Sequence, residues 1–276
     1  MTTHPAPDRA VRASFDRLDS APAAYTGDYG TGTYRRRIIV RLEGFRAVGE
    51  LEDDFHHFRV ALDHDGRQVT RIEGSGMRSP WTMCLGAGEP IRAVTGTRLR
   101  TGPLALRHLD ARRNCTHMFD LAGLLVTHAA RGVDGDRLYD MTVDDASVEA
   151  GDRYARLWRD GELLLEWHLR DRTVLGPPEW VDAPLWQGFI PWAAANLADE
   201  TAEAAVALRR ACDISHGRMT DLDAMDTAEP LMEVMSGICH AFQPEHAPLA
   251  IRRKGAGRDF TDHPELLLAD FDARNR

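Results

Sequence analysis

The sequence predicts an α+β fold: an antiparallel sheet with helices packed on one face, extended by a second antiparallel hairpin and by C-terminal helices. Three observations carry that prediction. YRRRIIVRLEGF and DDFHHFRVALDHDG alternate apolar and polar residues with the period of two that marks half-buried strands. YARLWR and ELLLEWHLR flank Asp160-Gly161, a strong hairpin-turn dipeptide. NCTHMFDLAGLLVTHAA and ADETAEAAVALRRACDISHG carry the 3.6-residue period of amphipathic helices.

Each element follows in chain order. Residues 1–25 are rich in Pro, Ala, Ser and charge and read as a flexible lead-in. Ile38, Val40 and Leu42 share one parity of the first strand. In the next long strand His56 shares parity with Phe58, Val60 and Leu62, so it faces the apolar side while His57 looks away. Asp65 and Gly66 turn the chain into a returning strand, RQVTRIEGSGM. Pro80 then forces an extended approach to Cys84, and EPIRAVTG predicts a short helix ending at Gly96. Asn114 is the expected N-cap of a helix running to about Ala130, with Cys115, Thr116 and His117 in its first turn. Met118, Ala122, Leu125 and Ala129 form its buried stripe, beside a second stripe of His117, Leu121, Leu124 and His128. These elements define a hairpin, cysteine and helix core over 26–135. Residues 136–276 supply a hairpin, a Trp-rich segment and helices that pack on it, ending in a peripheral tail.

Bulk properties narrow the function classes. With 276 residues and 43% hydrophobic content the chain builds a core without disulfides. A net charge of -9 argues against nucleic acid as a partner, since phosphate neutralisation needs a basic face. No stretch reaches the ~18 apolar residues of a membrane helix, and the N-terminus lacks a signal-peptide core. The expected setting is cytoplasmic, with reduced thiols. A small-molecule substrate is the expected partner, and a homo-oligomer is compatible with the composition.

The chemistry-bearing residues converge on one region. His56, Cys84, Cys115 and His117 arrive from a strand, a loop and a helix start, and a Cys₂His₂ set suits a tetrahedral metal, zinc first and iron second. Cys115 at a helix N-terminus is expected to favour its thiolate. Asp53 and Asp120 are the carboxylates expected to orient these ligands from behind. Trp180, Trp186 and Trp192, among prolines, are expected to wall a substrate pocket. Cys239 and His240 form a second candidate pair, although adjacent residues on an extended chain point apart. P-loop, GxGxxG, G-x-S-x-G and HExxH motifs are absent from the sequence.

The D-x-x-H at Asp53 and His56, the S-P-W-x-x-C ending at Cys84 and the C-T-H-x-x-D-L run from Cys115 to Leu121 resemble the bacterial domain-of-unknown-function family 2889 over roughly residues 34–130. That resemblance implies a domain type and no activity. The order of hairpin, Cys84, short helix, Cys115 and long helix is also similar to iron–sulfur cluster scaffold and sulfur-acceptor proteins. Their cysteine-glycine-aspartate motif is absent, with His56 standing in that region.

The leading expectation is a metal-dependent enzyme, hydrolase or lyase, in which Cys115, His117 and His56 act on a small organic substrate and the metal serves as Lewis acid or activates water. The alternatives are an iron–sulfur or metal carrier, and a metal-free enzyme with Cys115 as nucleophile and His117 or His56 as base.

Overall fold

The computed structural model describes residues 29–146 and 151–275, so the expected lead-in lies outside the described residues. The fold is α+β, as predicted. Its strands are β1 (Thr33–Glu43), β2 (Arg46–Asp53), β3 (His57–His64), β4 (Val69–Arg78), β5 (Gly135–Asp144), β6 (Asp152–Arg159), β7 (Glu162–Arg170) and β8 (Thr173–Gly176). They form one antiparallel sheet in the order β4-β3-β2-β1-β5-β6-β7-β8. β1 is the hinge of that order, pairing with β2 along one edge and β5 along the other. The two sequence halves are thus two meanders sharing a single sheet.

β1 earns its central place through strict alternation. Tyr34, Arg36, Ile38, Val40 and Leu42 are buried on the inner face, while Arg35, Arg37 and Arg41 project outward. The hairpin between β6 and β7 turns at Asp160 and Gly161 with φ of 53° and 88°, the left-handed pair that a two-residue turn between twisted strands requires.

Helices cover the inner face. α1 (Thr116–Arg131) packs on β2 and β3, and its Met118, Leu121, Ala122 and Leu125 are fully buried. The N-cap is Cys115 rather than Asn114, and the helix stops where Gly132 turns left-handed at φ 63°. α1 comes close to the sheet because β2 has a glycine below it: a Cβ on Gly49 would lie 2.8 Å from Leu121 Cδ1. α2 (Phe189–Asn196) leads into α3 (Asp199–Ser215), which packs on β5 and β6. The expected short helix before Gly96 is a 3₁₀ turn, Pro90–Val94, and the loop that carries Cys84 forms another, Thr82–Gly88. Among the described residues no helix is long and apolar enough to cross a membrane.

The tail expected to be peripheral instead runs over the outer face of the sheet. Phe260, Leu267, Leu268 and Phe271 are buried there, the last on the short helix α5 (Phe271–Arg274); a similarly short α4 (Met232–Met235) lies earlier in the chain. The outward arginines of β1 are its anchors. Arg35 and Arg37 donate to the carbonyls of Thr261 and Leu267, and Arg41 reaches Asp272 at 2.6 Å. Glu50, buried on β2, accepts from Arg274 and Asn275 at 2.7 Å and pairs with His57 at 3.0 Å.

Burial alone would raise the Glu50 carboxyl, but hydrogen bonds from His57, Arg274 and Asn275 hold it down to about 2, against an ordinary 4.5. A depressed carboxyl contributes stability above its unfolded value and loses it as pH falls towards the folded one. Between about pH 4.5 and 2 the folded protein is therefore expected to lose up to about 3 kcal/mol contributed by Glu50, of which the bonds from Arg274 and Asn275 are the arm's share. Proteolysis of residues 260–275 against pH checks this, and Glu50→Gln should flatten the response.

Candidate metal and substrate site

A cavity of about 310 Å³ lies between the start of α1, the end of α3, the 3₁₀ turns after β4 and the segment 216–242. All four predicted donors, His56, Cys84, Cys115 and His117, line it, and so do Cys239 and His240. The fold thus brings together residues from a strand connection, a loop and a helix start.

His56 sits just before β3 rather than on it. Asp53 shapes that connection: its Oδ1 accepts from the backbone N–H of Phe55 and of His56, both at 2.8 Å, and its own N–H donates to His56 O. His56 nonetheless faces the side of Phe58, with ring centroids 5.8 Å apart, while His57 turns to Glu50 and Glu52 on the other face. The choice of His56 over His57 stands on that geometry.

Asp53 touches His56 from the side away from the cavity. Oδ1 also lies 3.0 Å from His56 Nδ1, and Oδ2 accepts from Tyr34 Oη at 2.8 Å and from Arg36 Nη2 at 2.6 Å and Nε at 3.1 Å. Burial would raise this carboxyl, yet the charges of its neighbours hold it well below the carboxylate range. With its lone pairs accepting from six donors, Asp53 orients His56 and has no capacity left for a metal bond.

The imidazoles of His56 and His117 lie against each other, centroids 3.8 Å apart. Burial pushes both below the ordinary histidine value, His117 further because His56 and Arg36 add to the effect, so both are neutral at pH 7. His117 Nε2 is buried without a hydrogen-bond partner, 3.9 Å from Asp53 Oδ2, and its Nδ1 lies 3.8 Å from Cys115 Sγ. Among the described residues, Asp53, His56 and His117 form the one group of three whose donor atoms lie within 4.8 Å of one another.

Several expectations need correction. Cys84 and Cys115 stand on the cavity wall but outside that group, so the four donors do not form a closed tetrahedral site. Cys115 is not a thiolate: burial pushes its thiol up to about 12, outweighing the N–H groups of Met118 and His117 at the helix start. Burial likewise raises Cys84 and Cys239, and Cys84 feels both other cysteines. Asp120 does not reach the histidines; it binds Arg210 Nε at 2.7 Å. Of the three tryptophans only Trp186 lines the cavity. Trp180 and Trp192 pack instead with Trp167 and Phe189, Trp180 being 5.1 Å from Trp167 and 5.8 Å from Trp192.

Sequence reasoning missed the far end of the cavity. α3 contributes Arg209, Arg210 and Asp213 there, followed by His216. His216 Nδ1 donates to Asp213 O and its Nε2 accepts from Arg153 Nη2, both at 3.2 Å; burial and Arg153 push it down to about 4. The RRxxD spacing at one end of an amphipathic helix was the available signal.

A thiol raised to about 12 is almost wholly protonated at pH 8. Cys115 in metal-free protein is expected to react with iodoacetamide about a thousandfold more slowly than an exposed cysteine. Peptide mapping of the alkylated protein reads this rate directly, and reaction at the exposed-cysteine rate would restore the nucleophile reading.

No family model matches the chain and no curated protein matches it.

Proposed function

We propose that the chain is a metal-dependent enzyme acting on a small organic substrate, with zinc or iron held by His56 and His117. The His56–His117 pair carries this reading. Two neutral imidazoles in contact, one with a buried nitrogen lacking a partner, leave about 1–3 kcal/mol of unsatisfied polarity that a cation would relieve. Neutral imidazole is also the protonation state that a metal needs, and the Asp53 to His56 contact is the carboxylate–histidine support common behind metal ligands.

Two imidazole donors leave open positions for water or substrate on the cavity side, which a catalytic site requires and a closed structural site lacks. The metal would supply Lewis acidity or an activated water. Asp53 would hold His56 in register, and the apolar walls formed by Phe55, Phe58 and Trp81 would exclude bulk solvent.

A second reading, a metal or iron–sulfur carrier, draws on Cys84, Cys115 and Cys239 lining one cavity. Elemental analysis with acid-labile sulfide, on protein purified anaerobically without an affinity metal, separates the two. The enzyme reading expects about one zinc or iron per chain and no sulfide. It also expects His56→Ala and His117→Ala to lose the metal with far-ultraviolet circular dichroism unchanged, and Asp53→Asn to weaken it about 10–100-fold. Absence of stoichiometric metal after anaerobic reconstitution would overturn it.

A further inference from the structure

The cavity has a second chemical end, built by residues that play no part in the imidazole pair. Arg210 is shared between Asp120 at 2.7 Å and Asp213 at 3.2 Å, and Arg209 reaches Asp213 at 3.1 Å. Two carboxylates therefore answer two guanidinium groups. Arg209 also donates from Nε and Nη2 to the carbonyls of Leu185 and Trp186 and lies 5.4 Å over the Trp186 ring, so its plane is fixed.

Arg153 breaks that balance. It is 5% exposed, and its hydrogen bonds go to Ser215 Oγ and to His216 Nε2, both at 3.2 Å. Both partners are neutral, and among the described residues no carboxylate lies within ion-pair distance of it. A buried guanidinium facing only neutral groups calls for a counter-charge, and the group between it and the cavity is the His216 ring. His216 cannot relieve the excess, since its Nε2 lone pair is taken up by Arg153 and a proton there would add positive charge.

We propose that the substrate of this cavity is an organic monoanion, its apolar body against Phe58 and Trp81 and its carboxylate at the end formed by Arg209, Arg210 and His216. The assignment deepens the enzyme reading above and rests on it for the word substrate, although the binding it describes needs no metal. Size supports it: 310 Å³ is about twice the ~150 Å³ apolar cavity that accepts one benzene, enough for one ring, a short chain and a headgroup. An uncompensated guanidinium behind one ring of a water-poor pocket favours an anion there over an uncharged isostere.

The test is calorimetric titration of the intact protein with 4-phenylbutyrate and with its neutral isostere 4-phenylbutyramide, at pH 7.5 and low salt. The acid is expected to bind at least about tenfold more tightly than the amide. Arg153→Met should cut that preference to less than about threefold with the amide affinity unchanged. The double variant His56→Ala/His117→Ala should keep the preference, which places the headgroup at the arginine end and not on a metal. Equal binding of acid and amide by the wild-type protein, or binding of neither, overturns the proposal, as does a preference that survives Arg153→Met and disappears in the histidine variant. The wild-type comparison stands even if Arg153→Met does not fold. Metal content, measured on the same preparations, judges the enzyme reading separately: a metal-free protein that prefers the acid defeats that reading alone, and a metal-loaded protein without the preference defeats this one alone.

Discussion

The ion pair between Arg36 and Asp53 is the constraint on which the rest of the structure depends. Its members are 1% and 0% exposed, and Arg36 sits on the inner face of the central strand. Charges at such depth are tolerable only when every lone pair and N–H finds a partner. Asp53 meets that condition by gathering Tyr34, Arg36, two backbone amides and His56 around one carboxylate. The same contacts join β1 to the end of β2, fold the connection to β3 and aim an imidazole into the cavity. Stability and site geometry are here one set of hydrogen bonds. Arg36 has a further effect, since its charge acts on the neighbouring imidazoles and helps to keep His117 neutral.

The two faces of the sheet divide the work. On the inner face the donors come from the ends of regular elements, a strand connection for His56 and a helix start for Cys115 and His117, and such anchors hold side chains more firmly than free loops do. The opposite wall is made of turns, 3₁₀ segments and the short α4 between 216 and 242. On the outer face the C-terminal arm fills the place that helices would take in a three-layer fold, held by arginines of β1 and by Glu50. The sheet is covered on both sides, yet only one side carries the cavity.

Local pattern made part of this legible in the sequence. The parity of Ile38, Val40 and Leu42, the Asp-Gly turns, the span of α1 and the preference for His56 over His57 all depend on neighbours within a few residues, and these agree with the structure. What was illegible depends on partners far along the chain. Cys115 was expected to be a thiolate because a helix start favours anions, but residues from 84 and 239 bury it and desolvation outweighs the helix N–H groups. Asp120 looked like a partner for His117 until Arg210, ninety positions on, took it. Trp180 and Trp192 were credited to the pocket with Trp186, and only the fold shows that Trp167 and Phe189 draw them elsewhere. Cys239 and His240 were expected to point apart, yet an irregular turn lets both line the cavity.

The two ends of the cavity use one device with opposite results. His56 and His117 at one end and His216 at the other are all neutral near pH 7, in each case with burial as the leading cause. Each end also has a guanidinium behind its ring, Arg36 or Arg153. Protonation therefore does not distinguish the ends. The difference lies in what compensates the guanidinium: Arg36 has a buried carboxylate at 2.6 Å, whereas Arg153 has a hydroxyl and an imidazole. The charge of Arg36 is thus answered by a carboxylate beside it, whereas that of Arg153 has none within ion-pair distance among the described residues. A ligand carrying one negative group and one neutral reacting group would be oriented by that asymmetry, its charge drawn towards His216 and its neutral part left beside His56 and His117.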